Sequence, residues 1–107
     1  RLRVEGRDDD MIVSGGENVF PSEVEHCLAR HPGVADVAVV GVSDADFGQR
    51  LRAFVVRRDR TLTEAELQEW VRSRLARFKV PREVVMRDEL PRNATGKVLK
   101  GQLATEG

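Results

Sequence analysis

Apolar residues along this chain follow a strand-like spacing in its middle. Residues 34–42 are almost all small or β-branched, which is typical of a strand buried on both faces. Residues 51–57 alternate, so Leu51, Ala53 and Val55 would share one face of a second strand. Since only a short polar loop separates the two segments, we expect them to pair antiparallel.

Helical spacing occurs in two other segments, each opened by a capping-box sequence. Residues 22–25 and 63–66 read Ser-Glu-Val-Glu and Thr-Glu-Ala-Glu, with the glutamate three residues after the hydroxyl. We expect the first helix to stop at His31-Pro32-Gly33 and the second to run to the segment before Pro81. One apolar face of the second helix is predicted to comprise Leu67, Trp70, Val71, Leu75 and Phe78.

A glycine pair at 15–16 predicts a hairpin near the start of the chain. It lies between two short strand-like pieces, 11–14 and 17–20. A third strand is predicted at 83–87 and a short closing helix at 98–103. This order predicts an α+β fold, with a small three-stranded sheet, two helices packed on one face and a preceding β-hairpin.

Composition limits the classes of partner. The 107 residues suit one domain, and 18 basic residues balance 18 acidic ones, so no overall field attracts nucleic acid. The single cysteine has no disulfide or metal-ligand companion. No apolar run could form a transmembrane segment and no signal peptide opens the chain, so we expect a cytoplasmic protein.

The first ten residues differ from the rest. They include three adjacent acids, Asp8, Asp9 and Asp10, which repel one another and favour a solvated connector. No initiator methionine and no helix or strand signal precede them. We expect residues 1–10 to be the cut end of a longer protein.

One loop carries the strongest candidate chemistry. Residues 90–100 contain turn-forming Pro91 and Gly96, and the loop ends at Lys97, one of only three lysines. A long stem with a compact ammonium suits delivery of positive charge to an anion, although a solvated surface lysine is the competing interpretation. A phosphate-binding loop is excluded, because Val98 follows the lysine and Pro91 replaces the first glycine.

Two stretches resemble a known family. Residues 6–19, which read Gly-Arg-Asp-Asp-Asp-Met-Ile-Val-Ser-Gly-Gly-Glu-Asn-Val, with residues 21–25 and 91–97, resemble the small C-terminal domain of acyl-adenylate-forming enzymes. That superfamily includes acyl-CoA synthetases, adenylation domains of peptide synthetases and firefly-type luciferases. The resemblance implies a hinge segment at 1–10 and a mobile domain at 11–107, which follow a larger N-terminal domain of the same polypeptide.

The resemblance also implies a reaction. Such ligases join a carboxylic acid to ATP, release pyrophosphate, and then pass the acyl group from the adenylate to CoA with loss of AMP. Lys97 matches the adenylation lysine, Asp9 the hinge position, and Arg7 an arginine near the nucleotide ribose. ATP and its Mg²⁺ would be bound mainly by the larger domain, so this fragment alone is predicted to be inactive.

Further matches imply contacts with CoA. Gly15 and Gly16 match a glycine hairpin that lines the tunnel for the pantetheine arm. Phe78 and Arg82 match positions that contact the CoA nucleotide, the first by stacking and the second through phosphate. Val80 departs from relatives that carry a basic residue there.

The resemblance leaves the acceptor and the acid open. An acyl-CoA synthetase of fatty acid metabolism is the first hypothesis, since Glu17-Asn18 resembles ligases for larger acyl groups. A peptide-synthetase adenylation domain that loads a carrier protein is an alternative. A non-catalytic, stand-alone binding module is another.

Overall fold

The structure is a computed structural model that describes residues 11–46 and 48–104. The strands are β1 (Ile12–Ser14), β2 (Glu17–Val19), β3 (Val34–Asp44), β4 (Gly48–Arg57) and β5 (Glu83–Arg87). The helices are α1 (Pro21–Ala29), α2 (Glu64–Arg72) and α3 (Lys100–Ala104), with a 3-10 helix at Arg77–Lys79.

A long antiparallel ladder between β3 and β4 forms the centre of the sheet. It runs from the pair Val34 and Arg57 to the pair Asp44 and Gly48, with a bulge near its start. β5 pairs parallel with β4, and the β1–β2 hairpin joins through the start of β4, giving five strands. The predicted α+β class is confirmed, and the hairpin proves to extend the three-stranded sheet.

Both faces of the ladder are buried, as the run of β-branched residues predicted. Val39 lies in the larger core, whereas Ala38 and Val40 lie in a smaller one on the opposite face. The larger core packs α1 and α2 on the same face of the sheet, as predicted, and α3 closes the other face through Leu103. The alternation predicted for β4 holds: Leu51, Ala53 and Val55 contribute to the larger core and Phe54 to the smaller.

The prediction that one helical face extends to Phe78 is wrong. α2 ends at Arg72, and Ser73 caps it with its backbone N–H directed to Glu69 and Val71 carbonyls. Ala76 then has extended dihedrals, φ −62° and ψ 150°, which break the helical path. Phe78 therefore lies in the 3-10 helix, 38% exposed, outside the apolar face of α2.

Only one of the two predicted capping boxes forms. Thr63 and Glu66 bond to each other's backbone N–H as predicted. The box predicted from Ser22 is wrong, because α1 begins at Pro21 with Phe20 as its N-cap, two residues before the start that a Ser22 cap would give. Proline suits this first position, since its missing N–H would have no helical partner there.

Trp70 is a structural residue, as its place on the α2 pattern indicated. It packs against the larger core, and its indole Nε1–H donates a 2.7 Å hydrogen bond to the Cys27 carbonyl. The His31 ring meets it edge-on at 4.6 Å. Burial also raises the pKa of the Cys27 thiol, so this cysteine is a core residue in its neutral form.

Gly41 offers a test of how closely the hairpin packs on β3. A Cβ at this position would lie 2.8 Å from Cγ2 of the buried Ile12. We expect Gly41→Ala to lower the free energy of unfolding by about 1–3 kcal/mol, because the core must shift to admit the methyl group. Urea titration measures the change.

Gly101→Ala is the matched control. Nothing lies within 4 Å of a Cβ built at Gly101 in α3, and alanine favours helix by up to about 1 kcal/mol. Equal effects of the two substitutions would contradict the packing argument.

Candidate functional site

Lys97 lies on a tight hairpin turn, where the sequence predicted a loop. The backbone N–H of Asn93 donates to the Lys97 carbonyl, and the Gly96 N–H donates to the Asn93 carbonyl, both at 2.9 Å. An isolated bridge between Arg92 and Val98 closes the turn. The lysine is thus exposed on a backbone held by several hydrogen bonds.

The Asn93 side chain organises this turn. Its Oδ1 accepts hydrogen bonds from the backbone N–H of Thr95 at 3.0 Å, the Thr95 hydroxyl at 2.7 Å and the Lys97 N–H at 3.0 Å. Gly96 has a φ of +87°, a left-handed value that glycine adopts without strain. The sequence predicted a loop here, but it did not reveal that the Asn93 side chain fixes the backbone of the lysine.

An open groove of about 750 Å³ lies beside Lys97. Its walls are mainly apolar, and its polar side chains are those of Asn93, Lys97, Lys100 and Gln102. Lys97 therefore places a positive charge beside a mainly apolar groove.

A second cavity, of about 450 Å³, gathers three of the residues expected to contact CoA. Gly15 comes from the β1–β2 turn, Phe78 from the 3-10 helix and Arg82 from the segment before β5. The complete lining is Ser14, Gly15, Glu17, Arg77, Phe78, Val80 and Arg82. An aromatic ring beside two guanidinium groups suits a ligand with a flat base and phosphates.

The glycine pair is required by backbone conformation. Gly15 and Gly16 have φ values of +59° and +86°, as in the two-residue turns that match the twist of a hairpin. Gly16 is absent from the lining of the second cavity, and nothing lies within 4 Å of a Cβ built there. The idea that both glycines keep a tunnel open stays a prediction.

An ion-pair network fixes the segment that carries Arg82. Glu83 Oε1 accepts from Arg52 Nε at 2.8 Å and from Arg50 Nε at 3.1 Å, and the Arg82 N–H donates to the Leu51 carbonyl. The hydrogen bond from Arg52, helped by that from Arg50, holds the pKa of Glu83 below its ordinary value, against the opposing effect of burial. Glu83 therefore remains a carboxylate that anchors the start of β5.

The two cavities are distinct, since they share no lining residue. The structure does not place Lys97 with the predicted CoA residues. Arg7 and Asp9, predicted as the ribose contact and the hinge, lie outside the described residues. Arg77 was missed by sequence reasoning, and the signal that could have found it was a basic residue directly before Phe78.

The described part of the chain has neither a candidate metal site nor a membrane-spanning helix. Residues 11–46 and 48–104 contain no group of three or more His, Cys, Asp or Glu side chains that could hold a metal ion. No helix within these ranges has the length and apolar character needed to cross a membrane.

The fold and the lysine turn define a small domain of the adenylate-forming class. The profile of the family described as "AMP-binding enzyme C-terminal domain" matches residues 23–97, a span that includes Lys97 and most of the sheet. The chain belongs to this family, which confirms the resemblance seen in the sequence.

Two relatives of similar sequence are named as CoA ligases. The chain is 53% identical, over 99% of its length, to the Mycobacterium tuberculosis enzyme named 3-[(3aS,4S,7aS)-7a-methyl-1,5-dioxo-octahydro-1H-inden-4-yl]propanoyl:CoA ligase. It is 44% identical, over 98% of its length, to a long-chain-fatty-acid–CoA ligase of Escherichia coli. The ATP-bound structure of MatB from Rhodopseudomonas palustris superposes with a TM-score of 0.85 at 44% identity, over 92% of the chain.

The chain spans only about a fifth of these proteins. It covers 21% and 19% of the two ligases and 20% of the MatB chain. The matched part is their C-terminal domain, and the activity of a whole ligase is considered below.

The Glu83 network generates a prediction on pH. The pKa of Glu83 is lower in the folded chain than in the unfolded chain, so the unfolded chain binds a proton more readily as the pH falls. The stabilisation is complete above the ordinary pKa of about 4.5 and is lost as the pH falls through the lowered pKa. We expect Glu83→Gln to lower the free energy of unfolding by on the order of 1 kcal/mol near neutral pH. The value is modest because solvent screens the partly exposed pair.

Urea unfolding over a series of pH values measures this difference, which should vanish in acid. Glu89→Gln, which removes an exposed carboxylate just after β5, is the control and should have little effect at any pH. A Glu83→Gln effect that persists unchanged in acid would contradict the assignment.

Proposed function

We propose that this chain is the C-terminal domain of a longer, ATP-dependent, AMP-forming acyl-CoA ligase. In that protein it supplies Lys97 to the first half-reaction and part of the CoA tunnel to the second. The observation that carries the proposal is the exposed Lys97 on an ordered turn at the rim of a groove, within a domain of this family.

In the first half-reaction a carboxylate oxygen attacks the α-phosphorus of ATP. The new O–P bond forms as the bond to pyrophosphate breaks, and no proton has to move because the carboxylate is already ionised. Two anions must approach each other, so the Lys97 ammonium offsets their repulsion and stabilises the charge that builds on the phosphoryl oxygens. The larger domain holds the acid, most of ATP and its Mg²⁺.

In the second half-reaction the thiol of CoA attacks the acyl carbon of the adenylate. A C–S bond forms, the C–O bond to AMP breaks, and the thiol proton is released to water. The second cavity supports this step. Phe78 offers an aromatic face to the adenine ring, while Arg77 and Arg82, which line the same cavity, offer charge to the phosphates.

The separation of the two cavities supports a rotation between the steps. A rigid domain with Lys97 in one groove and Phe78 in another has to turn to present each to a single reaction centre. We assign this turn to the connector 1–10, with Asp9 as the hinge residue and Arg7 as the ribose contact.

The acid itself is selected elsewhere. A relative named for a fused-ring propanoate and one named for long-chain fatty acids resemble this domain over nearly its whole length. The acyl pocket therefore belongs to the larger domain. The substrate class we propose is a fatty or similarly large acid of fatty acid metabolism.

Lys97→Ala in the full-length ligase tests the first role. We expect ATP–pyrophosphate exchange to fall by a factor on the order of 10²–10³, because a charge-stabilising donor is removed. Thioester formation from supplied acyl-adenylate and CoA should be preserved. Equal loss of both half-reactions would refute the assignment.

Arg60→Ala, which removes an exposed cation between β4 and α2, is the control and should change neither half-reaction. A second control is the 107-residue chain alone, which should catalyse no exchange because it lacks the acid and nucleotide pockets.

Phe78→Ala and Arg82→Gln test the second role. Each should raise the KM for CoA and leave pyrophosphate exchange unchanged. For Phe78→Ala the loss of binding free energy should be about 1–3 kcal/mol, the value expected for a stacked base. Phe20→Ala, which removes another exposed aromatic ring that does not line the cavity, is the matched control. Unchanged CoA kinetics, with efficient transfer to a carrier protein instead, would favour the peptide-synthetase alternative.

A further inference from the structure

Strand β3 lies at an edge of the sheet, and two carboxylates cover that edge. Within the described residues β3 pairs only with β4, so backbone N–H groups on its other side need different partners. Val37 and Val39 are two residues apart and therefore direct their N–H groups to the same side. Asp36 accepts from Val37 at 2.9 Å and Glu25 accepts from Val39 at 2.7 Å.

Asp36 also binds the arm of the turn that precedes Lys97. Its Oδ2 forms an ion pair with the Arg92 guanidinium, while Oδ1 holds the Val37 N–H. Through Nη1, Arg92 donates a 2.6 Å hydrogen bond to the carbonyl of Gly96, the residue directly before Lys97. A chain of contacts thus runs from β3 to the backbone of the lysine.

Glu25 binds the arm that follows Lys97. Its Oε2 accepts from the Lys100 ammonium at 2.5 Å, in addition to the Val39 N–H. The Lys100 and Glu25 side chains are only 14% and 21% exposed, so solvent screens this pair less than a surface pair. Glu25 lies in α1, so the contact joins helix, strand and turn at a single carboxylate.

The contacts of Asp36 and Glu25 have the same arrangement. Each carboxylate joins one outward N–H of β3 to one cation, and the cations, Arg92 and Lys100, flank Lys97 on either side. We propose that Asp36 and Glu25 are positioning residues for Lys97, which hold the two arms of its turn on the open edge of β3. This inference rests on the proposed function, since it concerns how the adenylation lysine is aimed.

Precise aim matters because the lysine must meet a phosphoryl group held by another domain. A displacement of about 1 Å at a reacting centre can reduce a rate by about 10²-fold. The turn itself has internal hydrogen bonds. Loss of one of the two ion pairs would therefore shift the intact turn relative to the sheet. The adenylation step would suffer, whereas the CoA cavity, which shares none of these residues, would not.

Asp36→Asn and Glu25→Gln in the full-length ligase test the inference. Each substitution keeps an acceptor for the strand N–H but removes the charge that holds the cation. We expect ATP–pyrophosphate exchange to fall by about 10-fold for each variant, while thioester formation from supplied acyl-adenylate is unchanged. Lys100→Arg should retain most of the exchange activity, because it preserves the pair with Glu25.

Glu69→Gln is the matched control, since it breaks the exposed pair with Arg72 on α2, whose side chains are 66% and 51% exposed. It should change neither half-reaction. A second readout is amide hydrogen exchange, in which Glu25→Ala should accelerate exchange at Val39 and Asp36→Ala should do so at Val37.

The possible results distinguish this inference from the proposed adenylation role of Lys97, on which it rests. Loss of both half-reactions in proportion to lost thermal stability would show that the carboxylates are only structural and would overturn the inference. Unchanged exchange activity in Asp36→Asn and Glu25→Gln would overturn it equally. The Lys97→Ala result decides the adenylation role independently, because it does not depend on either carboxylate.

Discussion

The antiparallel ladder between β3 and β4 is the interaction on which the rest of the domain depends. Its 34–42 stretch is buried on both faces, so helices must cover each side, and α1 and α2 take one face while α3 takes the other. The pairing of β5 with β4 positions the preceding Phe78 segment beside the hairpin, and the Lys97 turn packs against the open edge of β3. Both candidate sites are therefore attached to the same two strands.

The candidate groups are mounted on short, well-bonded segments. Asn93 holds the turn before Lys97, and Glu83 holds the segment of Arg82 through two arginines. Segments of this kind cannot by themselves move a side chain over a large distance. If one reaction centre needs first the lysine and then the CoA cavity, the whole domain has to move, which agrees with the pivot proposed for residues 1–10.

Much of the fold and part of the site could be predicted from the sequence. The strand at 83–87, the hairpin at the glycine pair and the Thr63 capping box follow from patterns that act within a few residues. The extension of α2 to Phe78 failed because a periodic pattern does not reveal where an extended residue interrupts it. Family motifs suggested the candidate CoA residues, but only folding brought Gly15 and Phe78 into one cavity, across more than sixty positions.

Glu25 illustrates the difference between local structure, which the sequence predicts, and tertiary contacts, which it does not. Its spacing from Ser22 suggested a local cap, yet its carboxylate binds the Val39 N–H and the Lys100 ammonium. Local rules indicate candidate turns, caps and strands, and family motifs indicate Lys97 as the candidate catalytic residue, because both depend on neighbours in the chain. The partner of a charged side chain depends on which distant strand edge and cation fold against it, and that was decided only when β3, α1 and the lysine turn packed together.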